Sequence, residues 1–257
     1  MGAIEVDRVT KVYEAERGEV LALDDVSLTI PDGEFGCIVG GSGCGKSTLL
    51  DIVAGLQEPT SGVASVGGQA IAGPGPDRGM VFQSYTLFPW LRVRDNVEFG
   101  PRLSKVSARE RREQSDALLS EMGLLEFADA YPSELSGGMQ QRVAIVRAIA
   151  NDPDVLLMDE PFGALDALTR TGAQAFLTKL WEQRRRTIAF VTHDIEEAVY
   201  LADRVYVMSP RPGRLRKEIV IDLPRSRTPD VVSTPEFAEY KREVLELIHE
   251  TAAETHA

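Results

Sequence analysis

One short run restricts this chain to a small set of folds. Gly40-Gly41-Ser42-Gly43-Cys44-Gly45-Lys46-Ser47-Thr48 satisfies the pattern G-x-x-x-x-G-K-[ST]. The apolar stretch Phe35–Val39 enters it, and residues 47–54 read as a helix leaving it. Strand, glycine loop and helix in that order make a phosphate cradle. Glycine tolerates the curled backbone that turns successive N–H groups inward, and the helix start adds a favourable dipole. Lys46 is then placed to reach the β- and γ-phosphates of a nucleotide, and the Ser47 hydroxyl to bind Mg²⁺. A chance glycine-rich turn carrying a lysine would lack these flanking elements. Cys44 reads as small filler within the loop. With Cys37 it makes only two cysteines, which fits a reduced compartment and no disulfide framework.

Three later segments extend the constraint from fold to chemistry. Leu135-Ser136-Gly137-Gly138-Met139-Gln140-Gln141-Arg142 opens a helix expected over residues 139–151. Serine at the cap and glycines beside it leave backbone N–H groups free for an anion, although a capped helix without a ligand would explain this segment by itself. Val155–Asp159 is an apolar strand ending in a carboxylate, and Glu160 follows at once. Downstream of a phosphate loop, Asp159 suits holding Mg²⁺ through water and Glu160 suits polarising an attacking water. Residues 187–192 form another apolar strand, ending at His193-Asp194. Ligands bind at such strand ends in open α/β sheets, so His193 is expected to contact the γ-phosphate. His249 and His256, in the polar C-terminal stretch, are expected to be exposed.

The rest of the chain reads as support. Residues 4–13 and 20–30 alternate as antiparallel strands of a small β lobe, with a turn at Pro31-Asp32-Gly33-Glu34. Residues 80–83 read as a strand ending in Gln83. Residues 98–143, including 108–122, carry the strongest helical pattern. Arg109, Arg111 and Arg112 are expected on a solvated face, and Arg184-Arg185-Arg186 in a solvated turn. A chain of 257 residues accommodates one α/β body with an inserted helical lobe. The expected division is 1–83 and 152–225 for the core and β lobe, 84–151 for the helical lobe, and 226–257 for a C-terminal tail helix. No run of roughly eighteen apolar residues could span a bilayer. The first residues have neither a basic start nor an apolar core, so no secretion signal is expected. A net charge of −12 argues against general nucleic-acid binding.

In their order these motifs resemble the nucleotide-binding subunits of ABC transporters, across essentially the whole chain. The matching residues are the glycine loop, Gln83, residues 135–142, Asp159-Glu160, Ala164-Leu165-Asp166 and His193. Tyr13 falls where that family stacks an aromatic ring on adenine. The resemblance implies a RecA-like P-loop NTPase core with an antiparallel β lobe and a helical lobe. Two copies would sandwich two ATP molecules with Mg²⁺, pairing the Lys46 loop of one with Ser136, Gly137, Gly138 and Gln140 of the other. It also implies Gln83 and Asp166 as site residues, with Gln83 beside the metal. Gly41 departs from the bulkier residue common in relatives, and Val146 and Ile149 depart from alanine and leucine. Within the family, Gly73-Pro74-Gly75-Pro76-Asp77-Arg78-Gly79, Leu87-Phe88-Pro89-Trp90 and Pro210-Arg211-Pro212-Gly213-Arg214 are similar to the importer subgroup for nitrate, alkanesulfonates and taurine.

The resemblance thus implies an ATPase on the cytoplasmic face of the membrane, with separate permease subunits and, indirectly, an extracytoplasmic solute-binding protein. Import of a pyrimidine precursor or another small organic solute is the alternative. A DNA-repair or chromosome ATPase of the superfamily would split the motifs with coiled coils or zinc modules. A ribosome-acting member would carry two cassettes, and a simple phosphate-loop kinase would leave residues 135–142 unexplained.

Overall fold

The computed structural model describes residues 2–15, 18–84 and 86–254; His256 lies outside them. In chain order the strands and helices are β1 (Ile4–Ala15), β2 (Gly18–Ile30), β3 (Phe35–Val39), α1 (Lys46–Ala54), β4 (Ser61–Val66), β5 (Gln69–Ala70), β6 (Arg78–Val81), α2 (Val93–Leu103), α3 (Ala108–Glu121), α4 (Gly137–Ala150), β7 (Val155–Asp159), α5 (Ala167–Arg184), β8 (Thr187–Val191), α6 (Ile195–Leu201), β9 (Arg204–Met208), β10 (Leu215–Val220) and α7 (Pro235–Glu254).

Two sheets result. The first, ordered β2-β1-β4-β5, is antiparallel. The second, ordered β10-β9-β3-β8-β7-β6, is parallel except for β10 at its edge. Apolar runs such as Val155–Met158 and Ile188–Val191 are buried on both faces, which is why they read as continuous rather than alternating. Leu156 and Met158 face the core beneath the helices, while Val155 and Leu157 face the core shared with the first sheet. Helix α1 brings Leu49, Leu50, Ile52 and Val53 into that second core, so the helix leaving the glycine loop is clamped against both sheets.

The register levels the strand ends that matter. Asp159 pairs with Val191, and Val191 with Ile38. The backbone N–H of Glu160 donates to Val191 O (2.9 Å), and that of Thr192 to Ile38 O (3.2 Å). Residues following β3, β7 and β8 therefore emerge on one rim, the carboxyl edge of a parallel sheet.

The helical pattern over 98–143 resolves into three helices joined by turns, and α4 begins at Gly137, two residues before its expected start. Gln83 lies past the end of β6 in a bend. Arg109 and Arg112 are exposed as expected, but Arg111 is largely covered and pairs with Glu98 (3.4 Å). In the 184–186 turn Arg184 and Arg185 are exposed as expected, and Arg186 departs from expectation. Arg186 is mostly buried against Asp152 (2.6 Å), and the Arg185 guanidinium lies 4.3 Å from the Trp181 ring centre. Arg111 and Arg186 pair their heads with carboxylates and Arg185 stands by an aromatic ring, uses of long cationic side chains that composition does not reveal.

Candidate nucleotide site

The glycine loop is closed by its own lysine. Lys46 is buried, and its Nζ donates to Gly40 O (2.9 Å) and Gly41 O (3.1 Å), with Cys44 Sγ 3.7 Å away. Gly40, Gly43 and Gly45 hold φ of 159°, 74° and 97°; the last two are left-handed, where a Cβ would be strained. Gly45 caps α1 without any side-chain hydrogen bond, so the first N–H groups of that helix are left for another acceptor. Gly41 has open space around the position of a Cβ, so its departure from the family pattern costs no contact.

Around the loop, Tyr13, Gln83, Glu160, His193 and Arg211 join Ser42, Gly43, Gly45, Lys46, Ser47 and Thr48 about a cavity of roughly 450 Å³. A larger hollow of about 600 Å³ lies elsewhere, beside Gly67, Ile71, Pro74 and Arg78, and contains none of the expected nucleotide-site residues. The Tyr13 hydroxyl donates to Gln57 Oε1 (2.6 Å) and lies 3.3 Å from Thr48 Oγ1, which fixes the ring's tilt at the cavity edge. Lys11 Nζ stands 5.1 Å from the ring centre.

The two acids at the end of β7 differ sharply. Asp159 is buried, and burial raises its carboxyl above the ordinary value, against a hydrogen bond from Ser47 that lowers it. Its Oδ1 is buried without a hydrogen-bond partner. Glu160 turns back on itself with φ of 45°, a left-handed conformation costing on the order of 1–2 kcal/mol for a residue with a Cβ. That turn brings Glu160 Oε2 within 3.0 Å of His193 Nδ1. His193 is exposed and Glu160 mostly covered, so the pair spans the boundary between strand end and cavity.

The remaining expected site residues stand apart from this cavity. The Ser136 Oγ caps α4 by accepting from Met139 N (3.3 Å), as its sequence position predicts. Gln140 Nε2 donates to Pro132 O (3.0 Å) and Leu135 O (3.2 Å) and so braces the same turn. Asp166 is exposed and caps α5 through Thr169 N (3.0 Å), hydrogen bonds that hold its carboxyl below the ordinary range. These two groups adjoin, since a Cβ on Gly138 would stand 3.3 Å from Leu165 Cδ2. Two side chains were missed in the sequence, Gln57, which holds the Tyr13 ring, and Arg211, which lines the cavity. Gln57 gave no signal, and Arg211 was visible only as part of a five-residue motif with no role attached.

Comparison with known proteins accords with this geometry. The ABC transporter family profile matches residues 23–163. A nitrate import ATP-binding protein of Synechocystis sp. is 49% identical over 251 residues, spanning 95% of this chain and 94% of the relative. A taurine import ATP-binding protein of Jannaschia sp. is 49% identical over 235 residues, or 90% of this chain and 88% of the relative. Among solved structures, a dimeric post-hydrolysis ATP-binding cassette bound to ADP and Pi has a TM-score of 0.78 and 36% identity, covering 86% of this chain and 99% of that one. Motif order, sheet topology and these relationships agree, and the chain belongs to the ABC transporter family as one of its ATPase cassettes.

Proposed function

We propose that the chain is the ATP-hydrolysing subunit of an ABC importer that takes up a small solute, taurine, an alkanesulfonate or nitrate, through separate permease subunits. The observation carrying this reading is the separation of two anion-ready helix starts. The α1 start opens on the cavity with Glu160 and His193, whereas the α4 start lies outside it. In a single copy they cannot serve one triphosphate; across two copies they can, with ATP between them. The division into core with β lobe, helical lobe and tail belongs to the same reading.

Within the cavity, Lys46 and the loop N–H groups hold the β- and γ-phosphates, and Tyr13 stacks on adenine with its ring held by Gln57. Glu160 takes a hydrogen bond from the attacking water and directs it at the γ-phosphorus. His193, its Nδ1 3.0 Å from Glu160 Oε2, orients that carboxylate and contacts a γ-phosphate oxygen. The residues present fit Mg²⁺. Asp159 offers a buried, unpartnered oxygen beside the Ser47 hydroxyl, and Gln83 lines the same cavity. Such a hard cation is held by one or two protein oxygens together with phosphates and water, and it neutralises phosphate charge. Loss of the γ-phosphate on hydrolysis removes the contact shared by the two copies.

Nitrate and taurine enter this reading through the relatives' names. The permease partner is supported by an aromatic hollow beside β6. Phe88 packs on Phe99 (ring centres 4.6 Å apart) and on Trp90 (5.7 Å), and Trp90 is 71% exposed. No helix among the described residues is long and apolar enough to cross a membrane. A peripheral position on the cytoplasmic face belongs to the proposed reading and is supported by the import names of the relatives. The test is a pull-down, with ATP, of tagged Glu160→Gln chain, expected to retain the nucleotide, from solubilised native membranes. Recovery of a multispanning permease is expected, and its solute-binding protein is then titrated with taurine, alkanesulfonates and nitrate. Recovery of DNA-associated or ribosomal proteins instead would overturn the importer.

A further inference from the structure

We propose that Arg211 is an additional nucleotide-binding residue, its guanidinium taking a phosphate oxygen of the nucleotide held by the Lys46 loop. The motif Pro210-Arg211-Pro212-Gly213-Arg214 is the device that holds it there. This rests on the nucleotide site described above and adds a contact to it.

The motif forms the turn between β9 and β10, and its members other than Arg211 are held in place. Ser209 closes the turn, with its backbone N–H donating to Arg214 O (2.9 Å) and its hydroxyl donating to Pro212 O (3.0 Å) and accepting from Arg214 N (3.0 Å). The turn is then tied to β2. Gly213 N donates to Ala22 O (2.9 Å), Asp24 N donates to Gly213 O (3.0 Å), and Arg214 Nε bonds Asp24 Oδ2 (3.0 Å). Gly213 is buried against the glycine loop itself, because a Cβ there would collide with the Cys44 carbonyl oxygen. Glycine at 213 is therefore required by close approach of two backbones. Arg214 is spent on Asp24, and the turn cannot swing away from the loop without breaking these bonds.

Arg211 is the member left over. Among the described residues its guanidinium has no ion pair or hydrogen bond, although it lines the nucleotide cavity and its Nη2 lies 3.7 Å from where a Cβ of Gly43 would stand. An arginine serving only to hold the turn in place would have a protein partner, as Arg214 has in Asp24 of β2. The local charge also calls for it. Glu160 lines the cavity, Asp159 lies beside the loop, the whole chain carries −12, and the Lys46 ammonium already faces the Gly40 and Gly41 carbonyls. A polyanionic ligand entering this field gains from a second cation, and a planar guanidinium matches phosphate oxygens with two donors at once.

The test is calorimetric titration of ATP into wild type, Arg211→Ala, Arg211→Lys and Lys46→Ala, without Mg²⁺ and at concentrations where light scattering shows a monomer. Arg211→Ala is expected to bind ATP about tenfold more weakly, with Arg211→Lys between it and wild type. Its melting temperature should be unchanged, because the side chain is exposed. Indistinguishable ATP affinities of wild type and Arg211→Ala would overturn the proposal, even if pairing of two copies were impaired. Equal affinities of wild type and Lys46→Ala would instead overturn the nucleotide site on which it rests.

Discussion

Asp159 and Glu160, adjacent in the chain, meet opposite demands. Asp159 completes a buried strand, and its carboxyl is raised by burial, with Glu160 and Asp51 adding repulsion and Ser47 and Lys46 opposing the shift. A folded pKa above the ordinary 3.8 means that ionised Asp159 costs stability. That cost is full above the folded pKa, shrinks as pH falls through it, and is gone below the unfolded value. Asp159→Asn, free of nucleotide and Mg²⁺, is therefore expected to be more stable at neutral pH by about 1 kcal/mol. Melts across the pH range should show that gain fading toward acid, and a gain that grows toward acid would contradict the assignment. Glu160 needs the left-handed backbone that aims it at His193, and neither residue type nor spacing announces that turn. The position of both acids at a strand end was legible in the sequence because the apolar run before them reads as a buried strand. Gln57 was not, because a glutamine in a polar stretch gains its meaning only from Tyr13 folding over it.

Among the elements, the C-terminal tail shows how much one buried cation can organise. Arg227 is 6% exposed, and its guanidinium donates to the carbonyls of Val199 (3.0 Å), Tyr200 (2.9 Å), Ala202 (2.8 Å), Ile221 (3.4 Å) and Leu223 (3.3 Å). It thereby satisfies the orphan carbonyls at the end of α6 and the strand-exit backbone that leads to α7. Burial pushes it down to about 10, still charged at neutral pH. Arg227→Met is expected to destabilise by roughly 2–4 kcal/mol, because several buried carbonyls lose their donor. Arg227→Lys should recover little, since an ammonium lacks the planar fork. Urea unfolding measures both, and a loss below about 0.5 kcal/mol, typical of surface sites, would show that the tail stands without it. Helix α7 buries Phe237 and Val244, and its Tyr240 hydroxyl accepts from Asp222 N (3.1 Å). Leu245 is 40% exposed, while Leu247 packs on the core. The apolar stripe drifts around the helix, and the angle at which α7 crosses the core decides which leucine is covered.

For the whole molecule the open question of assembly reduces to surfaces. The Ser136 turn and the Asp166 loop adjoin on one, and the Phe88–Trp90 aromatics stand on another beside β6. Asn96 is fully buried and holds those aromatics in place, accepting from Phe88 N (2.8 Å) and donating to Phe88 O (3.2 Å), Leu91 O (3.1 Å) and Arg92 O (3.1 Å). Trp90→Ala is expected to leave fold and basal ATPase intact and to weaken permease assembly by on the order of 2 kcal/mol, the loss typical of an exposed aromatic anchor. Co-purification with the permease reads this directly, and unaltered assembly would reduce the patch to packing within the helical lobe. By itself the sequence determined the glycine loop with its strand and helix, the motif acids, the strand-end histidine and the capped turn at Ser136, because each depends on residues a few positions apart and on local backbone chemistry. Tertiary structure alone decided that β3, β7 and β8 end level, that the Ser136 turn lies away from the Lys46 loop, and that Arg211 sits against Gly43. Those relations depend on which strands neighbour one another in the sheet and on how closely two backbones pack, and both are set by burial of the shared cores rather than by spacing along the chain.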